Sequence, residues 1–145
     1  MAGYFENLTN RGATPALVAT MSFAHARHKV IAENVANIQT PGYKAKHLDY
    51  DAFQQALGKA LTMRQGAAKP LNIDDGDQFE TDDTGKLVIT PKTKPGRNLV
   101  FHDGTNVSVE REMSDLAANA MLHEMTTTLL KGRYDSMRKA IRGVV

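Results

Sequence analysis

A chain of 145 residues and 15.9 kDa has room for one domain, or for one elongated element with an insertion, and not for a two-domain enzyme. Apolar residues make up 41% but aromatic ones only 6%, with no tryptophan and a mean hydropathy of -0.39. The expected core is therefore built mainly from Leu, Ile, Val, Met and Ala, and helices are favoured over a β-sandwich. Eighteen Lys and Arg against 16 Asp and Glu leave a formal charge of +2, too balanced for nucleic-acid binding or a polybasic membrane tether. The lack of cysteine excludes disulfides, thiol catalysis and thiolate metal sites.

The first eight residues, Met1 to Leu8, show no basic start, apolar run or small-residue cleavage site, so no Sec-type signal is visible. No stretch approaches the roughly 18 apolar residues of a membrane helix, which predicts no direct membrane insertion. The first helix is expected to open at Thr14-Pro15, with threonine as cap and proline in the first turn. Leu17, Met21, Ala24, His28, Ile31, Val35 and Ile38 then recur at spacings of four and three, one stripe of a 3.5-residue repeat. The helix should stop by residue 39, because Thr40 precedes Pro41 and is pushed out of the α region.

Pro41-Gly42 suits the central positions of a type II turn, proline fixing the first φ and glycine supplying the positive second one. Asn34 and Asn37, one turn apart near the helix end, are placed to bond carbonyls that the helix leaves unpaired. The signature turn is thus Asn34, Asn37, Thr40, Pro41, Gly42 and Tyr43.

Residues 44 to 107 have no sustained period. Asp51 to Met63 suggest a short amphipathic helix ending before Gly66. An acidic block follows over residues 72 to 85 and a basic one over residues 86 to 97, which can attract each other across a hairpin. Leu87-Val88-Ile89, after the Asp83-Thr84-Gly85 turn, reads as a strand that Leu99-Val100-Phe101 could pair with, and a mobile segment is the equal alternative because few apolar residues back the hairpin.

The last helix is expected over residues 108 to 143, with Ser108 as cap. Val109, Met113, Leu116, Ala120, His123, Thr127, Leu130, Tyr134, Met137, Ile141 and Val144 keep the four-three spacing without a slip. Acids cluster at its start and Lys131, Arg133, Arg138, Lys139 and Arg142 at its end, complementing the helix dipole. Gly132 costs about 1 kcal/mol relative to alanine inside a helix, which hints at a close backbone contact or a bend.

Catalytic motifs fail one by one. His25 and His28 have a metal-sharing spacing but imply no third ligand nearby, although His47 or His102 would be the candidates for a metal enzyme. His123-Glu124 lacks the second histidine of a zinc-protease helix, position 127 being Thr127. Asp74-Asp75-Gly76-Asp77 lacks the spacing of an EF-hand and reads as a solvated acidic turn. No phosphate loop, nucleophile elbow or placed carboxylate pair is present. The expectation is a non-enzyme with no catalytic residue, no cofactor and no metal.

The string from Ala36 to Lys44, with Thr40-Pro41-Gly42-Tyr43 closing a heptad helix, resembles the amino-terminal signature of bacterial flagellar rod and hook proteins. The heptads from Val109 to Ile141 look like the terminal helix that those axial proteins pair with the first. The resemblance covers both ends, about half the chain. It implies a structural subunit of the proximal rod, exported unfolded by the flagellar type III apparatus without a cleaved signal and assembled in the periplasm. Its implied partners are the adaptor between membrane ring and rod, the other proximal rod proteins and copies of itself.

The expected fold is mainly α: an antiparallel two-helix coiled-coil hairpin, with residues 1–43 and 108–145 enclosing an irregular inserted segment, 44–107, that holds at most a small β-hairpin. Leu17, Met21, Ile31, Val35, Met113, Leu116, Leu130, Tyr134, Met137 and Ile141 are the expected buried assembly seam. The rival reading is a small cytoplasmic helical adaptor that dimerises.

Overall fold

The computed structural model describes residues 12–64, 66, 69–74, 76–93 and 109–143. Three helices dominate, α1 (Thr14–Ala36), α2 (Tyr50–Met63) and α3 (Val109–Arg142), with four short strands between α1 and α3: β1 (Lys46–His47), β2 (Phe79–Thr81), β3 (Leu87–Ile89) and β4 (Lys92–Thr93). The mainly helical expectation holds. Ser108, the expected cap of the last helix, lies outside the described residues, as do His102 and Val144.

Helix α1 begins differently from the sequence reading. Its N-cap is Ala13, with no side-chain cap bond, and Thr14 is a buried first-turn residue; proline does stand in that turn. The helix ends at Ala36, where the Asn37 amide N–H closes on the Glu33 carbonyl. Helix α2 has a strong cap: the Asp49 carboxylate accepts from the amides of Asp51 and Ala52 at 2.9 and 3.0 Å, two donors that α-geometry leaves unpaired.

The core is mainly aliphatic, as composition implies, with three phenylalanines at its centre. Phe23 of α1 stacks on Phe53 of α2 with centroids 4.2 Å apart, and Phe79 of β2 meets both edge-on at 5.8 and 5.4 Å. Val30, Leu48, Ala56, Leu71 and Ile73 close around them. Composition says nothing about clustering: phenylalanines from three separate elements converge, and stacked and edge-on pairs add to their burial.

Strand β3 pairs antiparallel with β2, Glu80 opposite Val88; residues 99–101, its expected partner, lie outside the described residues. The hairpin turn is organised by Asp82, whose carboxylate accepts from the Thr84 amide and hydroxyl and the Lys86 amide; Gly85 sits at φ +79°. The acidic block is therefore in part architectural. An Asp77–Lys92 ion pair joins it to the basic block. A second ladder sets Lys46 opposite Thr93 and His47 opposite Lys92. The buried Gln78 amide clamps this region, donating to the His47 carbonyl and accepting the Asp49 amide at 3.1 Å each.

Helices α1 and α3 lie side by side and antiparallel: Asn34 reaches Glu112, Arg27 reaches Asp115, and Asn119 reaches the Ala24 carbonyl. The contact mixes polar bonds with apolar packing, Leu122 lying against the core, and does not establish a coiled-coil hairpin. Glu112, Asn119 and Thr126, seven residues apart and 1, 1 and 3% exposed, are the buried residues of α3. They precede Met113, Ala120 and Thr127 of the apolar stripe by one residue, a rotation of about 100° around the helix.

Candidate assembly site

Three features meet at the end of α1. First, the turn is built as its residues dictate. The Tyr43 amide donates to the Thr40 carbonyl at 3.1 Å, and Gly42 has φ +74°, so Thr40 to Tyr43 form a type II turn. The Asn37 side chain donates to the Glu33 carbonyl at 2.8 Å, relieving one terminal acceptor.

Second, Asn34 does something other than cap. Its amide nitrogen donates to the Lys46 carbonyl at 2.8 Å and to Glu112 Oε2 at 3.0 Å, and its oxygen accepts the Lys46 amide at 3.0 Å and the Tyr43 hydroxyl at 3.1 Å. One buried side chain uses two donors and two acceptors, its full capacity. It ties α1, the chain leaving the turn and α3 together. Burial pushes the Tyr43 phenol above its ordinary pKa, the Glu33 and Glu112 carboxylates adding to this and Lys46 opposing it. The ammonium of Lys46 is raised in turn by its 2.6 Å bond to Glu33. A neutral phenol and a charged ammonium both hold their protons here.

Third, α3 presents apolar side chains outward. Of the expected seam, Ile31 is buried, while Leu17, Met21, Val35, Leu116, Leu130 and Met137 are half-buried. Met113, Tyr134 and Ile141 are exposed, Ile141 by 73%, so they are no part of a seam within one chain. His28, expected on the stripe, is exposed as well, and His123 is half-buried. Met121 and Met125, outside the expected stripe, are exposed by 71 and 64%. Among the described residues a Cβ added at Gly132 would meet no heavy atom within 4 Å, so none of them makes the close contact expected there.

Sequence reading misses Glu112, Asn119, Arg27 and Asp115, the last two an ion pair at 3.0 Å. Periodicity of apolar residues cannot find a polar seam. The available signal is the polar repeat Glu112, Asn119, Thr126 at seven-residue spacing. Among the described residues no group of three His, Asp or Glu is placed to hold a metal, and no helix is long and apolar enough to cross a membrane.

A family model described as flagella basal body rod protein matches residues 16–44, the span of α1 and its turn. A helix pair of N- and C-terminal segments joined through that signature defines a structural subunit of the flagellar basal body rod, not an enzyme. The chain is 30% identical to the flagellar basal body rod protein FlgB of Bacillus subtilis (strain 168) over 98% of its own length and 95% of the relative's. It is 26% identical to the FlgB of Escherichia coli (strain K12) over 80 and 83%, and to that of Aquifex aeolicus over 85 and 87%. The chain belongs to the FlgB family of flagellar basal body rod proteins.

Proposed function

We propose that this rod subunit sits at the proximal end of the rod and is completed by lateral packing against its neighbours through the outward face of α3. The observation that carries this reading is the exposed apolar surface of α3: Met121, Met125 and Leu129 stand on the side away from buried Glu112, Asn119 and Thr126, and Met113, Tyr134 and Ile141 are exposed as well. A helix apolar on the sides its own chain leaves uncovered has its remaining partners elsewhere. Neighbours in this reading are copies of itself, the other proximal rod proteins and the adaptor between membrane ring and rod. Delivery is by the flagellar type III export apparatus to the periplasmic side, without a cleaved signal. The signature turn, Asn34 to Tyr43, fixes the direction in which residues 44–93 leave the helix pair.

Complementation of a strain lacking the native gene tests this. Ile141→Asp is expected to leave the fold intact and abolish rod assembly. Swimming of cells carrying only that variant would remove α3 from the interface.

A further inference from the structure

Around Met125, at the middle of α3, the outward face has a two-fold pattern. Ser114, Ala118, Met121, Met125, Leu129, Gly132 and Ser136 follow one another at spacings 4, 3, 4, 4, 3 and 4, which read the same in both directions. The side chains match in size across the centre: Met with Leu at four residues, Ala with Gly at seven, Ser with Ser at eleven. All seven are exposed. We infer that this face of α3 is a self-pairing surface whose occupant is α3 of a second copy, running antiparallel with Met125 on the two-fold axis.

A two-fold contact requires a surface complementary to itself, and a palindrome of sizes along a helix supplies one. Two antiparallel helices in this register set Met121 beside Leu129 of the second copy and Ala118 beside its Gly132, so the bulky levels interleave and the small ones let the backbones close in. Gly132 then acquires the close neighbour that none of the described residues provides. The Ser136 hydroxyl already bonds the Gly132 carbonyl at 2.9 Å, so its burial leaves no donor unmet.

Charge fixes the direction. The first half of α3, residues 109–125, carries four acids and one base, and the second half, residues 126–142, five bases and one acid. Antiparallel pairing brings unlike halves together and opposes the helix dipoles favourably, whereas a parallel pair sets like on like. Glu124 lies to one side of the stripe and stays in water. Such a pair uses each face once and cannot propagate, so it is a soluble state distinct from the rod. It rests on reading outward α3 as an association surface.

The absence of native cysteine makes the test direct. Met125→Cys in the full chain, mildly oxidised, is expected to form disulfide-linked dimers at least about tenfold faster than Val18→Cys on exposed α1, since only the former sits opposite itself. Ala118→Cys and Gly132→Cys should cross-link when mixed and not singly. Gly132→Leu should abolish the Met125→Cys dimer while circular dichroism shows helix content kept or raised, leucine being the better helix former. Equal cross-linking of Met125→Cys and Val18→Cys, or a wild-type monomer by sedimentation, would overturn the pair. So would open-ended oligomers without the Met125→Cys link. All are read on purified protein, so failure leaves rod assembly, read by swimming, untouched.

Discussion

Asn34 and Glu112, 78 residues apart in sequence, meet at 3.0 Å inside the protein. This single bond closes the chain's two helical ends on each other and does so at the residue that also holds the path after the turn. Replacing Asn34 by Ala removes a bond to buried Glu112 and opens the Lys46 backbone bonds, with an expected loss of about 3 kcal/mol. Asn34→Asp should be worse, since it sets one carboxylate against another. Urea unfolding followed by circular dichroism measures both; unchanged midpoints would mean that the clasp is dispensable.

Phe23 is the centre of the ring cluster. Phe23→Ala is expected to cost about 3–5 kcal/mol through lost burial and the cavity left behind. Phe23→Leu should recover a large part of that loss. Thermal melts of the two variants give the comparison.

Gly42 occupies positive φ with open space around it, so a side chain meets no clash and only backbone strain. Gly42→Val is expected to cost about 1–3 kcal/mol and to misdirect residues 44–93. Secretion should continue while swimming stops, which assays of culture supernatant and soft agar separate.

The Tyr43 phenol has a raised pKa in the folded protein. The folded state therefore holds this proton more tightly than the unfolded chain, and stability falls as pH climbs from the ordinary tyrosine value of about 10 through the folded one. The raised Lys46 pKa acts in the same alkaline window and in the same direction. Wild-type stability should be level from neutral pH to about 10 and decline beyond it. Tyr43→Phe should begin lower by about 1 kcal/mol, for the lost bond, and decline less steeply; parallel curves for the two proteins would refute this.

Ile31 and Ile141 hold equivalent positions in the apolar stripes of the sequence, and the fold separates them. Ile31, 4% exposed, should unfold the subunit when changed to Asp, because a buried unpaired carboxylate has no acceptable environment. Ile141→Asp should leave unfolding curves unchanged and block assembly. The half-buried Leu130, changed to Asp, is expected to impair both. Shortening the acidic stretch 72–84 should damage the monomer as well, since it carries Ile73, Phe79 and the Asp82 turn.

The parts legible in sequence are those governed by local chemistry. Helix α1, the Pro41-Gly42 turn and the extent of α3 follow from proline and glycine geometry and from spacing. The rest depends on non-local matches. The phase of α3 escapes a rule that points hydrophobicity inward, because Glu112 and Asn119 are buried by partners on α1 that no window of α3 contains. The phenylalanine cluster and the Gln78 clamp likewise join residues distant in sequence. At Asn34 the helix-end location is readable and the role is not: the side chain's partners arrive from Tyr43, Lys46 and Glu112.

The small ladder between Lys46 and Thr93 has an architectural consequence. It brings the start and the finish of residues 46–93 side by side, so this stretch closes on itself close to the end of α1. Changes confined to its exposed turns, which leave Phe53, Ile73 and Phe79 packed on Phe23, need not alter how α1 meets α3. Variation within this stretch is then confined to its water-facing turns, while the side chains packed on Phe23 belong to the helical framework itself.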